Sequence, residues 1–246
     1  MNLKDNFSTQ SKQYAKFRPT YPEELYQFLL SHVAKNQVAW DCATGNGQIA
    51  TVLSQHFDYV YATDISENQL KNAPQIANIT YKVERAEYTS FQDYSFDLIT
   101  VGQAIHWFKF DAFYTEVKRT LKPNGLIAII GYGIMHIHVE IDKVIHYLYK
   151  DILGSFWDEE RKYIEDNYLN VTFPFQEIQC PDFEITAEWN LEQLIGYLET
   201  WSALQHYIKL NSKSPIPLIY ERLEQAWGNT KKHTIHFPIL LKVGKP

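Results

Sequence analysis

The sequence predicts an α/β protein built on a parallel, doubly wound sheet, and three observations carry the prediction. Short, strand-like apolar segments alternate with helix-like ones from Val38 to Gly131. A tight turn, Gly45-Asn46-Gly47, follows the first of these strands directly. At 246 residues the chain suits one large α/β domain, or a domain with an added lobe, and is short for two full domains. Strands that alternate with helices pair in parallel, because each helix carries the chain back to the starting edge, and such crossovers are right-handed.

Pro22 stands where the first residue of a helix would be, and Leu25, Phe28, Leu29 and Val33 recur at helical spacing. Pro22–Ala34 therefore reads as an amphipathic helix. Strands follow at Val38–Cys42, Tyr59–Thr63, Ile79–Val83, Phe96–Gly102 and Leu126–Gly131, with helices such as Gln48–Phe57 and Asp111–Leu121 between them. Beyond Gly133 the rhythm breaks. A helical, aromatic-rich stretch runs to about Tyr168, then a strand at Phe183–Trp189, helices through Trp201 and Trp227, and a last strand near Thr234–Val243. No internal repeat or low-complexity linker interrupts the chain.

Composition narrows the function. Lys plus Arg is 23 against 29 Asp plus Glu, a net charge of −6, which argues against nucleic acid or an anionic membrane as partner. The polar N-terminal stretch lacks the apolar core of a signal peptide, and no run of about 18 apolar residues occurs. Cys42 and Cys180 are far apart without a CxxC pair, giving neither a zinc signature nor a disulfide framework. A soluble protein of the reduced cytoplasm is expected. His136-x-His138 and His233-x-x-His236 lack a neighbouring Cys or carboxylate set with ligand geometry, so no metal is expected.

The turn itself has two readings. Gly45-x-Gly47-x-x-Ala50 satisfies the fingerprint in which a βα turn approaches a pyrophosphate, which would mean an NAD(P)-dependent oxidoreductase. Asp41 just before it would oppose a phosphate and favour a positive ligand. Asp64 ends the second strand nineteen residues after Gly45, the distance at which a carboxylate accepts ribose hydroxyls of any adenosine-bearing cofactor. Preceding a helix, Asp64 also reads as an N-cap. His106 and Trp107 follow the fourth strand, where ligands of open α/β sheets bind, although a lone His is as often a core residue. Trp201 lies in a stripe with Leu194, Tyr197, Leu198 and Leu204 that reads as core or as substrate wall.

Four segments, in order, resolve the ambiguity: Asp41-Cys42-Ala43-Thr44-Gly45-Asn46-Gly47, Tyr61-Ala62-Thr63-Asp64-Ile65-Ser66, Phe96-Asp97-Leu98-Ile99-Thr100, and Leu121-Lys122-Pro123-Asn124-Gly125-Leu126. Through them the sequence resembles the class I S-adenosylmethionine-dependent methyltransferases. Through Tyr14-Ala15-Lys16-Phe17-Arg18-Pro19-Thr20-Tyr21-Pro22, Gln103-Ala104-Ile105-His106-Trp107-Phe108 and Tyr197-Leu198-Glu199-Thr200-Trp201-Ser202-Ala203 it resembles the trans-aconitate-methyltransferase-like branch, over nearly the whole chain. One departure is Ala43, where the family carries its first glycine.

The resemblance implies a Rossmann-like, seven-stranded sheet, mostly parallel with an antiparallel last strand, plus helical additions. It implies one methyltransferase domain over residues 1–246, with a cap at 1–35, a cofactor-binding core at 36–133 and substrate-side additions at 134–246. S-adenosylmethionine would be held by Gly45 with Asp41, Ala43 and Gln103 around the methionine part, by Asp64 at the ribose, and by Ile65, Ala86 and Glu87 at the adenine. Tyr14 and Arg18 would close over it, with Arg18 charge-pairing a carboxylate of cofactor or substrate; a surface salt bridge is the other reading of Arg18. The acceptor, a small molecule and by branch a carboxylic acid, would lie among His106, Trp107, Tyr132, Tyr197 and Trp201. His106 would be its base for a phenol or amine, or a counter-charge for a carboxylate. A cofactor-binding protein without catalysis is the remaining alternative, recognisable by a pocket blocked above the methyl group. Neither the oligomeric state nor the atom methylated is legible.

Overall fold

The computed structural model describes residues 18–246. Helix α1, Glu23–His32, has Pro22 as its N-cap rather than its first helical residue, and buries Leu25, Tyr26 and Leu29. Five strands follow, β1 Val38–Cys42, β2 Tyr59–Asp64, β3 Ile79–Val83, β4 Phe96–Gly102 and β5 Leu121–Tyr132. Between them lie α2 Gln48–Leu53, α3 Glu67–Lys71 and α4 Phe110–Thr120. These match the expected alternation, with α2 ending earlier and β5 starting earlier than periodicity suggests. The extra length of β5 is Leu121-Lys122-Pro123-Asn124-Gly125, which joins β4 across an irregularity between Phe96 and Leu98.

The sheet runs β3-β2-β1-β4-β5-β8-β6, where β6 is Gln176–Ile178, β8 is His233–Lys245, and β7, Glu184–Trp189, pairs with the first half of β8. Pairs among β1 to β5 are parallel and β5–β8 is antiparallel. Thus the expected α/β Rossmann-like sheet with an antiparallel last strand is present, and β7 makes eight strands rather than seven. β6, three mostly exposed residues, carries no periodic signal.

Alternation along the strands sorts their side chains onto two faces. Trp40, Cys42, Ile99, Val101, Ile127 and Ile129 pack with Phe113 and Val117 of α4. Ala39, Leu98, Leu126, Ala128 and Ile130 pack instead with Leu25 and Leu29 of α1 and Ile49 and Leu53 of α2. A third cluster lies beyond β5. It joins α5 Val139–His146, α7 Leu191–Leu198, α8 Ser202–Asn211 and α9 Tyr220–Trp227 to β7 and β8. The short α6, Lys162–Glu165, sits instead against the first face through Ile164.

Strand order reverses between β1 and β4, so the segments leaving their carboxyl ends, 43–47 and 103–107, open the crevice where ligands of such sheets bind. Among the described residues no helix is long and apolar enough to cross a membrane.

Below this crevice Phe96 is fully buried among Trp40, Tyr61 and Phe91, with ring centroids 4.9–6.0 Å away. Removing a ring so enclosed leaves a cavity, so Phe96→Ala should cost about 3–5 kcal/mol and Phe96→Leu less than half of that. Urea midpoints at unchanged m-value measure both, and a loss below about 1 kcal/mol for the alanine variant would contradict the packing described.

Candidate functional site

The turn after β1 is organised around Asp41, which is 1% exposed. Its Oδ2 accepts from Thr44 Oγ1 at 2.5 Å and from the Ala50 amide at 3.1 Å, and its Oδ1 accepts from Thr100 Oγ1 at 2.8 Å. Gly47, the N-cap of α2, has no side chain to cap with, and Asp41 supplies the missing acceptor at the third helical residue. Thr100 belongs to β4, so one carboxylate ties together β1, the turn, α2 and β4. Burial pushes its pKa up to about 6, opposed by the bonds from Thr44, Thr100 and Ala50 and assisted by Asp64. Asp41 thus reaches the cavity wall mainly as a brace for the turn, where the sequence suggested an attractor of positive charge.

Three residues of the turn occupy the left-handed region, Ala43 at φ 55°, Gly45 at 57° and Gly47 at 82°. For Ala43 that conformation costs about 1–2 kcal/mol. At Gly45 a Cβ would meet nothing within 4 Å, so the backbone faces open space and a ligand can lie directly against it.

Asp64 is half-buried and spans the adjoining loops. Its Oδ2 accepts from the Gly45 amide at 2.9 Å and its Oδ1 from the Ser66 amide at 2.8 Å. The cap of α3 is Ser66, whose Oγ accepts from the Gln69 amide, so the N-cap reading of Asp64 is replaced by one in which it orients the turn. Ile65, beside it, is 40% exposed. The segment after β3 runs alongside, since the Glu84 amide donates to the Asp64 carbonyl. It carries buried Ala86 and then Glu87, which accepts from the Lys109 amide at 3.3 Å and pairs with Arg85 at 3.4 Å.

Across the crevice, Arg18, Tyr21, Asp41, Gly45, Gln103 and Tyr132 line a cavity of about 70 Å³. Arg18 turns inward, toward Tyr132 and Tyr197. Its Nη1 donates to Tyr132 Oη at 2.6 Å and its guanidinium lies 5.4 Å from the centroid of the Tyr197 ring. Gln103, at φ 53°, donates from Nε2 to the Tyr132 carbonyl at 3.0 Å. Burial pushes the Tyr132 hydroxyl up to about 12, so it stays protonated and accepts from Arg18. Tyr14 lies outside the described residues.

Arg18, Gln103 and Tyr132 also line a second, inner cavity of about 60 Å³ with His106, Trp157, Arg161, Tyr197 and Trp201. His106 is 7% exposed, its Nδ1 has no hydrogen-bond partner among the described residues, and burial, then Arg161, push its pKa down to about 3. It is therefore neutral near pH 7. The expectation that His106 offers a counter-charge gives way to Arg18 and Arg161, the cations on this cavity among the described residues. Trp107 stands beside His106, ring centroids 5.0 Å apart, and His106 lines the inner cavity. Tyr197 and Trp201 serve both readings, being buried in the core cluster and lining the cavity.

Sequence reasoning missed Arg161 and Trp157. Arg161 sits in Asp158-Glu159-Glu160-Arg161-Lys162, a charge run with the look of a solvated loop. The histidine motifs meet only as a backbone bridge between His136 and His236, and among the described residues no three metal-ligating side chains gather.

Comparison with known proteins agrees with this fold. The methyltransferase domain family of type 11 matches residues 40–129. A Dictyostelium discoideum protein assigned as a methyltransferase is 35% identical over 98% of this chain and 95% of its own. The structure of an Anaeromyxobacter dehalogenans protein assigned as a type II methyltransferase superposes with a TM-score of 0.86 at 33% identity, covering 93% of this chain and 98% of its own. A Haemonchus contortus N-methyltransferase in complex with phosphomonomethylethanolamine and S-adenosylhomocysteine shares the fold, with a TM-score of 0.50 at 18% identity over all of this chain and 60% of its own. The NAD(P) reading of the glycine turn finds no support among them.

The brace on Asp41 has a pH signature. Because the folded state raises this carboxyl above its unfolded value, the native state holds the proton more tightly. Its contribution is then greatest below the unfolded pKa near 4 and is lost as pH rises through about 6. The stability of the wild type relative to Asp41→Asn should fall by about 3 kcal/mol at most between pH 4 and pH 7, as read from paired urea titrations. A difference that is constant with pH, or that grows toward pH 7, would contradict the burial described.

Proposed function

The chain belongs to the S-adenosylmethionine-dependent methyltransferases, and we propose that it passes the methyl group to a carboxylate of a small molecule. The observation that carries this reading is the inner cavity's chemistry, one neutral histidine with a pKa near 3 and two arginines. A base that weak gives little help to a phenol or amine, which must lose a proton, whereas a carboxylate is already ionised near neutral pH. Resemblance to the trans-aconitate-methyltransferase-like branch supports the same acceptor.

When bound, S-adenosylmethionine supplies an electrophilic methyl group on a positively charged sulfur. In this reading the Gly45 backbone and Gln103 border the methionine part, and the half-buried Asp64 takes the ribose from a carboxylate already oriented by the Gly45 and Ser66 amides. Ile65, Ala86 and Glu87 border the adenine. Arg18, held by Tyr132 between the two cavities, sets the boundary between cofactor and acceptor. His106 presents an uncharged edge, and Tyr197 and Trp201 exclude water. Transfer needs the three reacting centres nearly in line and no covalent enzyme intermediate, so positioning is the principal catalytic device, worth roughly 7–11 kcal/mol when near ideal.

Two outcomes are expected. With a carboxylate acceptor, kcat should change less than about twofold from pH 8 to pH 6, since His106 does not titrate there; a tenfold loss across that window, abolished in His106→Gln, would point to an acceptor deprotonated by histidine. Asp64→Ala should weaken S-adenosylhomocysteine about 10- to 100-fold by calorimetry while the protein stays folded, because it removes charge-assisted hydrogen bonds. Unchanged affinity would remove Asp64 from the cofactor site.

A further inference from the structure

Beside the inner cavity lies a larger, half-open chamber of about 820 Å³, with an apolar wall of Ile134, Tyr149, Trp157, Ile164 and Pro238 and charged residues of both signs around it. Trp157, Arg161, Ile164 and Gly133 line both spaces and so form the neck between them. We infer that this chamber seats the body of the methyl acceptor, and that Arg161 at the neck is the specificity-determining anchor for the acceptor's carboxylate. The preferred acid then carries an apolar or aromatic body too large for the inner cavity. The inference rests on the carboxylate reading and adds to it the residue that reads the charge and the size of what is attached.

Size is the first argument. A space of about 60 Å³ holds a carboxylate-sized group, whereas 820 Å³ falls in the range of pockets that enclose whole small molecules. The second is the state of Arg161. Its Nε donates to Tyr149 Oη at 2.9 Å, and its guanidinium lies 4.8 Å from the Trp157 ring centroid and 5.5 Å from that of Tyr149. Tyr149 in turn donates to Glu165 Oε1 at 2.6 Å, which fixes the hydroxyl lone pair that receives Arg161. The side chain is thus oriented, yet it enters no ion pair among the described residues, although Asp158, Glu159 and Glu165 line the same chamber. A half-buried guanidinium held in place without a carboxylate is matched by a ligand that brings one, in the paired geometry that arginine favours. The third is the backbone. Tyr149 and Lys150 belong to a π-helical segment, Tyr147–Ile152, that continues directly from α5, and such segments are rare and gather at functional sites.

The experiment titrates S-adenosylhomocysteine-saturated protein with acetate, 4-phenylbutanoate, 6-phenylhexanoate and the corresponding primary amides, by calorimetry and tryptophan fluorescence. The phenylalkanoates should bind at least tenfold tighter than acetate and than their amides. Arg161→Gln should erase the preference for acid over amide while S-adenosylhomocysteine binds as before, and Ile134→Trp, which narrows the chamber, should weaken the phenylalkanoates without changing acetate. Equal binding of acid and amide, absence of phenylalkanoate binding, or a preference that survives Arg161→Gln would overturn the inference. Labelled-methyl transfer to the same acids separates the two claims: methyl esters formed equally well by Arg161→Gln defeat the anchor alone, whereas transfer only to matched phenylalkylamines defeats the carboxylate reading itself.

Discussion

The site depends on one buried carboxylate. Asp41 accepts hydrogen bonds from Thr44, Thr100 and Ala50, and through them holds the turn, the neighbouring strand and the first turn of α2 in one arrangement. Gly47 leaves α2 without a side-chain cap, and Ala43 sits in a conformation that an alanine adopts at a cost, so the turn is not set by local preference. An ionisable group raised to about 6 by burial is an expensive brace, and its position at the switch point of the sheet explains why it is there.

From that brace the chemistry is laid out as a series of spaces with shared walls. Arg18 and Tyr132, bonded to one another, separate the space beside Gly45 from the inner cavity, and Arg161 with Trp157 separates the inner cavity from the outer chamber. Positive charge stands at both partitions. The histidine between them is neutral, because burial and Arg161 both disfavour its protonated form. In the proposed reading, such an arrangement contributes position and charge complementarity rather than proton transfer.

The sheet was legible in the sequence because its signals are local, and the residues proposed for the cofactor lie beside the same strands. β1 to β4 follow from apolar runs between turns, and Asp41, Gly45 and Asp64 lie within or beside those runs at fixed spacing. Asp64 was read for its position, and its bonds to Gly45 and Ser66 followed only from coordinates. The side proposed for the acceptor was poorly legible for the opposite reason. Arg161 lies in a charge run whose role depends on Tyr149 and Trp157 folding beneath it, β6 is too short and exposed to have a period, and the π-helical turn has no sequence pattern.

The most direct measurement of the central claim is the chemical nature of the methylated product. Protein incubated with S-adenosylmethionine labelled in its methyl group and with a panel of small acids, amines, phenols and thiols is treated with mild alkali, and volatile label is collected. A carboxyl methyl ester hydrolyses to labelled methanol, whereas methylated amines, phenols and thiols are stable. The account predicts that the label transferred becomes volatile; label retained in the non-volatile products would contradict it.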